Sequence, residues 1–315
     1  MLVSNLGLLY DRGHVSLPQF RLGGNLLLSF PILLALCASL CFALADFNIR
    51  FAMRHSTAYT GSMVQAVLHF FIFGALALWL AADVNWLNQG TWWFLASGAA
   101  DPGVGVICFC IGISRVGVAR AASIVGTAPL FSTTAAMILL GERPNVWIWL
   151  GTVAIVVGVA VLTYEPRSEI KQKSGYVYAI LGAVCLGLAN PLRKLGLEFI
   201  PSTTVGLTIA QVGSILTLLL VAPMLPAGTR FSKNPRGLGF FSLSALIVAL
   251  AYSMLFPAIR LGKVSEVIPF VHTSPLFVIL LAWLFLRAKE KINHRLLMGA
   301  LLIGFGAAAI TGFGK

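Results

Sequence analysis

The chain has 315 residues, of which 58% are hydrophobic and only 10% charged, with a mean hydropathy of +0.92 and a formal net charge of +12. A soluble domain carries about 25% charged residues, so the missing charge excludes an ordinary cytosolic enzyme. The Lys and Arg residues stand singly or in small groups between apolar runs and build no basic face for a phosphate backbone, which excludes a nucleic-acid partner. The positive charge reads as membrane orientation and contact with anionic lipid.

In chain order, residues 1–29 are mixed in character and form an N-terminal tail or interfacial piece. Ten apolar runs of membrane-spanning length follow, at roughly 30–50, 57–80, 92–113, 117–140, 145–164, 175–197, 203–225, 238–259, 264–286 and 295–313. The most polar connection, 165–174, divides them five and five, so the expected fold is an all-α integral membrane protein of two units, 30–164 and 175–315. The second half echoes the first at an offset near 146: Ala128-Pro129-Leu130-Phe131 against Ser274-Pro275-Leu276-Phe277, Gln65 against Gln211, Ser62 against Thr208. Asp46 falls over Asn190 and Gly151 over Gly299 with small drift. Five crossings per unit is an odd number, so the second unit enters the bilayer upside down. Two inverted five-helix repeats suit alternating access, with a site at mid-depth between them.

The segment Ser114-Arg115-Val116-Gly117-Val118-Ala119-Arg120-Ala121-Ala122, then Pro129-Leu130-Phe131, then Leu139-Leu140-Gly141-Glu142-Arg143-Pro144 and Leu150-Gly151, resembles the fourth and fifth helices of EamA-type permeases of the drug/metabolite transporter superfamily. The resemblance covers both halves and is clearer in the first. It implies ten helices in two repeats and export or exchange of small metabolites, often amino acids, without ATP. Two departures stand out: Gln65 occupies the place of the family's usual second-helix Arg, and Arg287-Ala288-Lys289 stands where Gly-Glu-Arg is expected.

Asp101 is the sharpest single residue. It lies about ten residues into the third span, roughly 15 Å deep at 1.5 Å per residue, where a carboxylate costs roughly 2.5–3.5 kcal/mol and must face a partner or a wet cavity. Pro102, Gly103 and Gly105 follow and disfavour a regular helix. The residue is either a proton- or substrate-binding carboxylate at a helix break, with a coupling role, or a turn between two short segments at the interface. Pro129 and Pro275 lie in corresponding spans beside Thr127 and beside His272 and Thr273. Paired interruptions of this kind point to a transporter's binding site, against inherited packing kinks whose hydroxyls bond their own helix. Gln65 and Gln211 offer amides that can bind substrate without imposing charge, or can hold helices together. The candidate pathway is thus Gln65, Asp101, Thr127, Pro129, Gln211, His272, Thr273 and Pro275.

Other features read as scaffold or interface. His69 is a satisfied polar residue, Asp46 pairs with Arg50, and Arg120 and Glu266 snorkel at span starts, with a substrate-facing role as the alternative. Trp79, Trp86, Trp92, Trp93, Trp147 and Trp149 anchor span ends, and Gly151-x2-Ala154-x3-Gly158 and Ala300-x3-Gly304-x3-Ala308 are seams for close packing. The five cysteines form neither a disulfide framework nor a metal-ligand pattern, and no phosphate loop or hydrolase motif occurs. The expected protein is therefore no enzyme, with no cofactor, no metal and no nucleotide hydrolysis. Its partners are a small-molecule substrate and membrane lipid, as a monomer or homodimer in a bacterial inner membrane. The reading is a secondary transporter of a small polar or amphipathic metabolite. A channel or lipid-moving protein of similar build is the alternative, and a membrane-embedded transferase a more distant one. Counting Lys and Arg by loop puts both termini outside.

Overall fold

The computed structural model describes residues 19–22, 26–81, 84–163, 172–225, 227–278, 280 and 294–313. A short antiparallel pair, β1 (Gln19–Leu22) and β2 (Leu26–Ser29), precedes the helices and gives part of the expected tail a defined form. The first half then contains α1 (Phe30–Ala52), α2 (Ala58–Leu80), α3 (Gln89–Gly98), α4 (Gly105–Val116), α5 (Val118–Val125), α6 (Ala128–Leu140) and α7 (Val146–Thr163). The second contains α8 (Gly175–Phe199), α9 (Thr203–Val221), α10 (Pro235–Leu261), α11 (Val264–Val271) and α12 (His294–Phe313). Among the described residues eight helical stretches are long and apolar enough to cross a membrane, with shorter apolar helices at Val264–Val278 and Met298–Phe313.

Helix starts follow from small polar side chains that take up the free N–H groups of a first turn. Thr57 accepts from Thr60 N at 3.2 Å, Asn88 from Gly90 N at 2.7 Å, Asn145 from Trp147 N at 3.0 Å and Asn234 from Arg236 N at 3.0 Å. The polar residues between apolar runs thus serve as caps as well as connections. At the other end of α6, Gly141 adopts φ +64, a left-handed close that favours glycine.

Three of the apolar stretches are interrupted where proline or glycine sits. The third span is α3 and α4 joined through a wide-turn stretch, Ala99–Val104, in which Asp101 is extended (φ −144, ψ 121) and the Asp101–Pro102 bond is cis. The fourth breaks at Gly126-Thr127 between α5 and α6, and the shorter apolar stretch Val264–Val278 breaks at His272-Thr273. Pro129 and Pro275 therefore stand in the first turn of a new segment rather than as kinks within one helix, the position a ring without N–H tolerates best.

Packing pairs the two halves helix against helix. α1 packs on α10 and α8 on α3 and α4; α2 packs on α9 and α10, and α9 on α3; α1 meets α11, and α8 meets α5 and α6; α6 meets α11; α7 meets α12. Exchanging each helix of one half for its counterpart in the other leaves this pattern unchanged. At two of these contacts, α7 with α12 and α2 with α9, the helices run in opposite senses. Asn145 Nδ2, at the start of α7, donates to Phe313 O at the end of α12 at 2.8 Å. Tyr59 Oη, at the start of α2, donates to Leu218 O near the end of α9 at 3.1 Å.

The α7–α12 seam corrects one expectation. A Cβ on Gly151 or Gly158 would meet Gly306 O and Gly299 O at 2.6 and 2.8 Å, whereas nothing lies within 4 Å of one on Gly304. The second strip is Gly299 and Gly306, seven residues apart, because two turns of helix return a side chain to the same face; the predicted Ala300, Gly304 and Ala308 strip is rotated off it. The Arg287-Ala288-Lys289 departure and residues 165–171 of the polar connection lie outside the described residues, as does the Arg50 side chain expected to pair with Asp46.

Candidate functional site

The centre of the site is a buried ion pair that joins the two halves. Asp101, from the interrupted third span, meets Arg193 of α8: Nη2 donates to Oδ2 at 2.9 Å and to the Asp101 backbone oxygen at 3.1 Å. Asn190, one turn earlier on α8, accepts from Arg193 Nη1 at 2.9 Å. Only 5% of the Arg193 side chain and 12% of that of Asp101 are exposed. Regular helix could not bring the Asp101 carbonyl to the guanidinium, since its backbone would be committed to its own helix. The Pro-Gly context that disrupts the helix is what frees that oxygen.

Aromatic rings close the other side. The Arg193 guanidinium carbon lies 5.4 Å from the Tyr252 ring centre and 5.7 Å from that of Phe256, both on α10, within cation–π range. Tyr252 packs edge-on against Phe42 of α1 and His69 of α2, and Phe256 stacks on Phe94 of α3. His69 Nε2 bonds Ala245 O at 2.8 Å, so its ring bridges α2 and α10. Its Nδ1 is buried without a partner among the described residues, so the satisfied role expected of it is met at one ring nitrogen only.

Around this centre several buried polar atoms have no partner among the described residues: Arg193 Nε, Gln211 Oε1, Ser214 Oγ, Ser132 Oγ and Thr133 Oγ1. Gln211 and Ser214 lie on α9, which packs directly on the Asp101 stretch: a Cβ on Gly98 would collide with the Ala210 carbonyl, and one on Gly103 would reach Thr217 at 3.1 Å. Ser132 and Thr133 follow the fourth-span break on α6, against which α8 packs through Gly187, one turn before Asn190. Orphaned buried polar groups are costly and rare, and their concentration here marks a region built for something besides packing. Among the described residues no three His, Cys, Asp or Glu side chains cluster as metal ligands.

The remaining candidates divide. Gln65 is half-buried on α2. Thr127 donates to Ile124 O at 2.6 Å, bonding its own break, and Pro129 is buried beside it. Thr273 bonds Phe270 O at 2.7 Å and Ser39 Oγ of α1 at 3.1 Å, which ties the break at His272-Thr273 to the first half, while His272 and Pro275 are half-buried. Thus Asp101 stands in the central ion pair, Gln211 lies on the helix packed against the Asp101 stretch, and the two breaks lie on α6 and α11. Glu266 pairs with Lys263 at 3.0 Å at the surface, a contact worth little. Arg120 Nη1 reaches Val116 O at 3.5 Å.

Sequence reasoning missed Arg193, Tyr252 and Glu142. Arg193 lies near a span end, where a cation reads as a loop or snorkelling charge; its i, i+3 spacing from Asn190 and the need of Asp101 for a partner are the signals that could have found it. Glu142 forms a clasp between halves. Its Oε1 accepts from Val264 N at 2.8 Å, its Oε2 from Ser265 N at 2.9 Å and from Ser265 Oγ at 2.6 Å, at the start of α11. Lys194 Nζ completes the clasp, donating to Gly262 O at 2.6 Å and Glu142 Oε1 at 3.4 Å. Glu142→Ala strips the cap from α11 and is expected to cost about 1–2 kcal/mol in thermal unfolding of the detergent-purified protein, with Ser265→Ala costing less.

These features define a multi-pass integral membrane protein made of two copies of one helical unit, with a polar, charged contact between the copies. The EamA-like transporter family matches residues 29–164 and again residues 173–312, and the chain belongs to that family; it is a membrane transporter. It is 25% identical over 272 residues to an uncharacterized transporter of Archaeoglobus fulgidus, covering 86% of this chain and 94% of that one. A solved crystal structure shares the fold with a TM-score of 0.73 at 17% identity, covering 90% of this chain and 97% of the other.

Proposed function

We propose that the protein is a secondary transporter, an exporter or exchanger, of a small polar or amphipathic metabolite, working by alternating access in a cell membrane. Its ten crossings form two five-helix units of opposite sense that rock about the central cluster. The antiparallel contacts between counterpart helices and the exchange-symmetric packing support the inversion. One observation carries the reading: a charged pair with one member on each half, buried among unpartnered polar atoms. Such a pair is remade or broken whenever the halves move against each other, and a carrier needs a polar centre that both states can reach. The Glu142 clasp gives one end of this contact a lock that opens without disturbing the centre.

The test is a metabolite screen comparing cells that overexpress the chain with cells that lack it, followed by counterflow of the solute found in proteoliposomes. Saturable counterflow is expected. Lipid scrambling without solute counterflow would instead favour a lipid-moving protein of similar build. Asp101 is the coupling group in this account, so Asp101→Asn is expected to remove the dependence of transport on a pH gradient; unchanged dependence would take Asp101 out of that role.

A further inference from the structure

The Arg193 guanidinium is only half used along one edge. Its Nε and Nη2 are the two nitrogens of that edge. Nη2 holds the Asp101 carboxylate through Oδ2 alone, and Nε has no partner among the described residues. Nη1 is held from the other end by Asn190, and Nη2 also by the Asp101 backbone oxygen. The guanidinium is therefore anchored independently of the Asp101 side chain, with an edge suited to an anion that presents two oxygens. The carboxylate is also the more open partner, at 12% against 5%.

We propose that the Nε–Nη2 edge of Arg193 receives a carboxylate, sulfonate or phosphate group of the transported solute, and that Asp101 yields the edge by taking up a proton, so that anion and proton bind together. The inference rests on the transport reading and names its substrate class. The balance is explicit. Arginine stays protonated, so the empty site holds one positive and one negative charge. An arriving anion would leave two negative charges against one positive in a dry centre; one proton from water on the open side, placed on the Asp101 carboxylate, restores neutrality. The groups that face Asp101 allow this. Besides Arg193, Cys185 of α8 and Tyr252 of α10 are its titratable neighbours; Cys108 of α4 lies beyond Cys185, and His69 of α2 lies behind Tyr252 with Nε2 engaged at Ala245 O and Nδ1 without a partner among the described residues. α3 and α9, also packed there, carry no titratable side chain. Phe256 supplies an apolar wall for the rest of the solute, and the Tyr252 hydroxyl faces the guanidinium. The cycle moves a neutral acid equivalent, outward whenever its internal concentration dominates.

Benzenesulfonate is the probe, because it stays anionic at every working pH and has no carbonyl group; benzenesulfonamide is its neutral control. With the full chain in detergent, benzenesulfonate affinity is expected to rise about tenfold per pH unit of acidification, the signature of one proton per anion. A protonated-carboxyl band is expected in the infrared difference spectrum with the sulfonate and not with the sulfonamide. Asp101→Asn is expected to bind the anion with pH-independent affinity and no such band, and Arg193→Gln not to bind it. Binding without proton uptake, equal binding by Arg193→Gln, or no binding by either the wild type or Asp101→Asn would overturn the proposal. If solute counterflow persists in any of those cases, this inference alone fails; absent counterflow, the transport reading fails.

Discussion

Arg193→Gln is expected to lower the unfolding free energy by about 3–5 kcal/mol, because it leaves the Asp101 carboxylate buried without its partner. Asp101→Asn leaves the opposite charge stranded but spares the Asn190 and Asp101 carbonyl contacts, so its loss is expected to be smaller. The double variant Asp101→Asn/Arg193→Gln restores neutrality and is expected to recover much of the stability lost by Arg193→Gln. Thermal unfolding of the four proteins in one detergent measures all three differences, and their non-additivity is the coupling across the two halves. Simple addition of the single losses would mean that the two side chains do not share a site. The double variant is expected to be folded and inactive in counterflow, which separates a structural role from the transport role.

The second large effect concerns how closely the halves approach at the Asp101 stretch. A side chain on Gly98 would run into the Ala210 carbonyl, and one on Gly213 into the Leu95 carbonyl, so α3 and α9 touch backbone to backbone on either side of one contact. Gly98→Val forces the helices apart, and with them the Asp101 stretch from α9. The cost is expected at or above the upper end of the about 1–3 kcal/mol typical of overpacking, with transport lost. Gly304→Val, on a surface with nothing within 4 Å of the new Cβ, serves as the control and is expected to change stability little. Comparable losses at both positions would show that the close approach of α3 to α9 is not what the small residue at 98 serves.

Much of this architecture is legible in the sequence because it is written locally. Span positions follow from apolar length, and caps such as Asn88 and Asn234 sit where the apolar runs begin. The breaks at Gly126-Thr127 and His272-Thr273 are announced by Pro129 and Pro275, since a missing N–H acts on its own neighbourhood. The depth of Asp101 is likewise a matter of counting along one span. Its partner is not, because Arg193 is 92 residues away and sits near a span end, where a snorkelling or loop cation looks the same. Tyr252 carries no local mark at all, being one aromatic residue in an apolar helix. Glu142 stands in a recognisable motif, yet the donors it accepts from lie on α11, more than a hundred residues on, and only the folded chain reveals what the carboxylate holds. The register of the α7–α12 seam was missed for a related reason: small residues mark several faces of α12, and the partner helix selects one.

The central claim is that polar residues between two oppositely oriented units face one side of the membrane and then the other. Single cysteines at Thr127, Gln211 and Thr273, in a chain whose five native cysteines are replaced, can be probed with an impermeant thiol reagent in sealed vesicles of each orientation. Alternating access predicts labelling at these positions from either side, with saturating solute slowing the reaction. Labelling from one side only, or none under any condition, would contradict it.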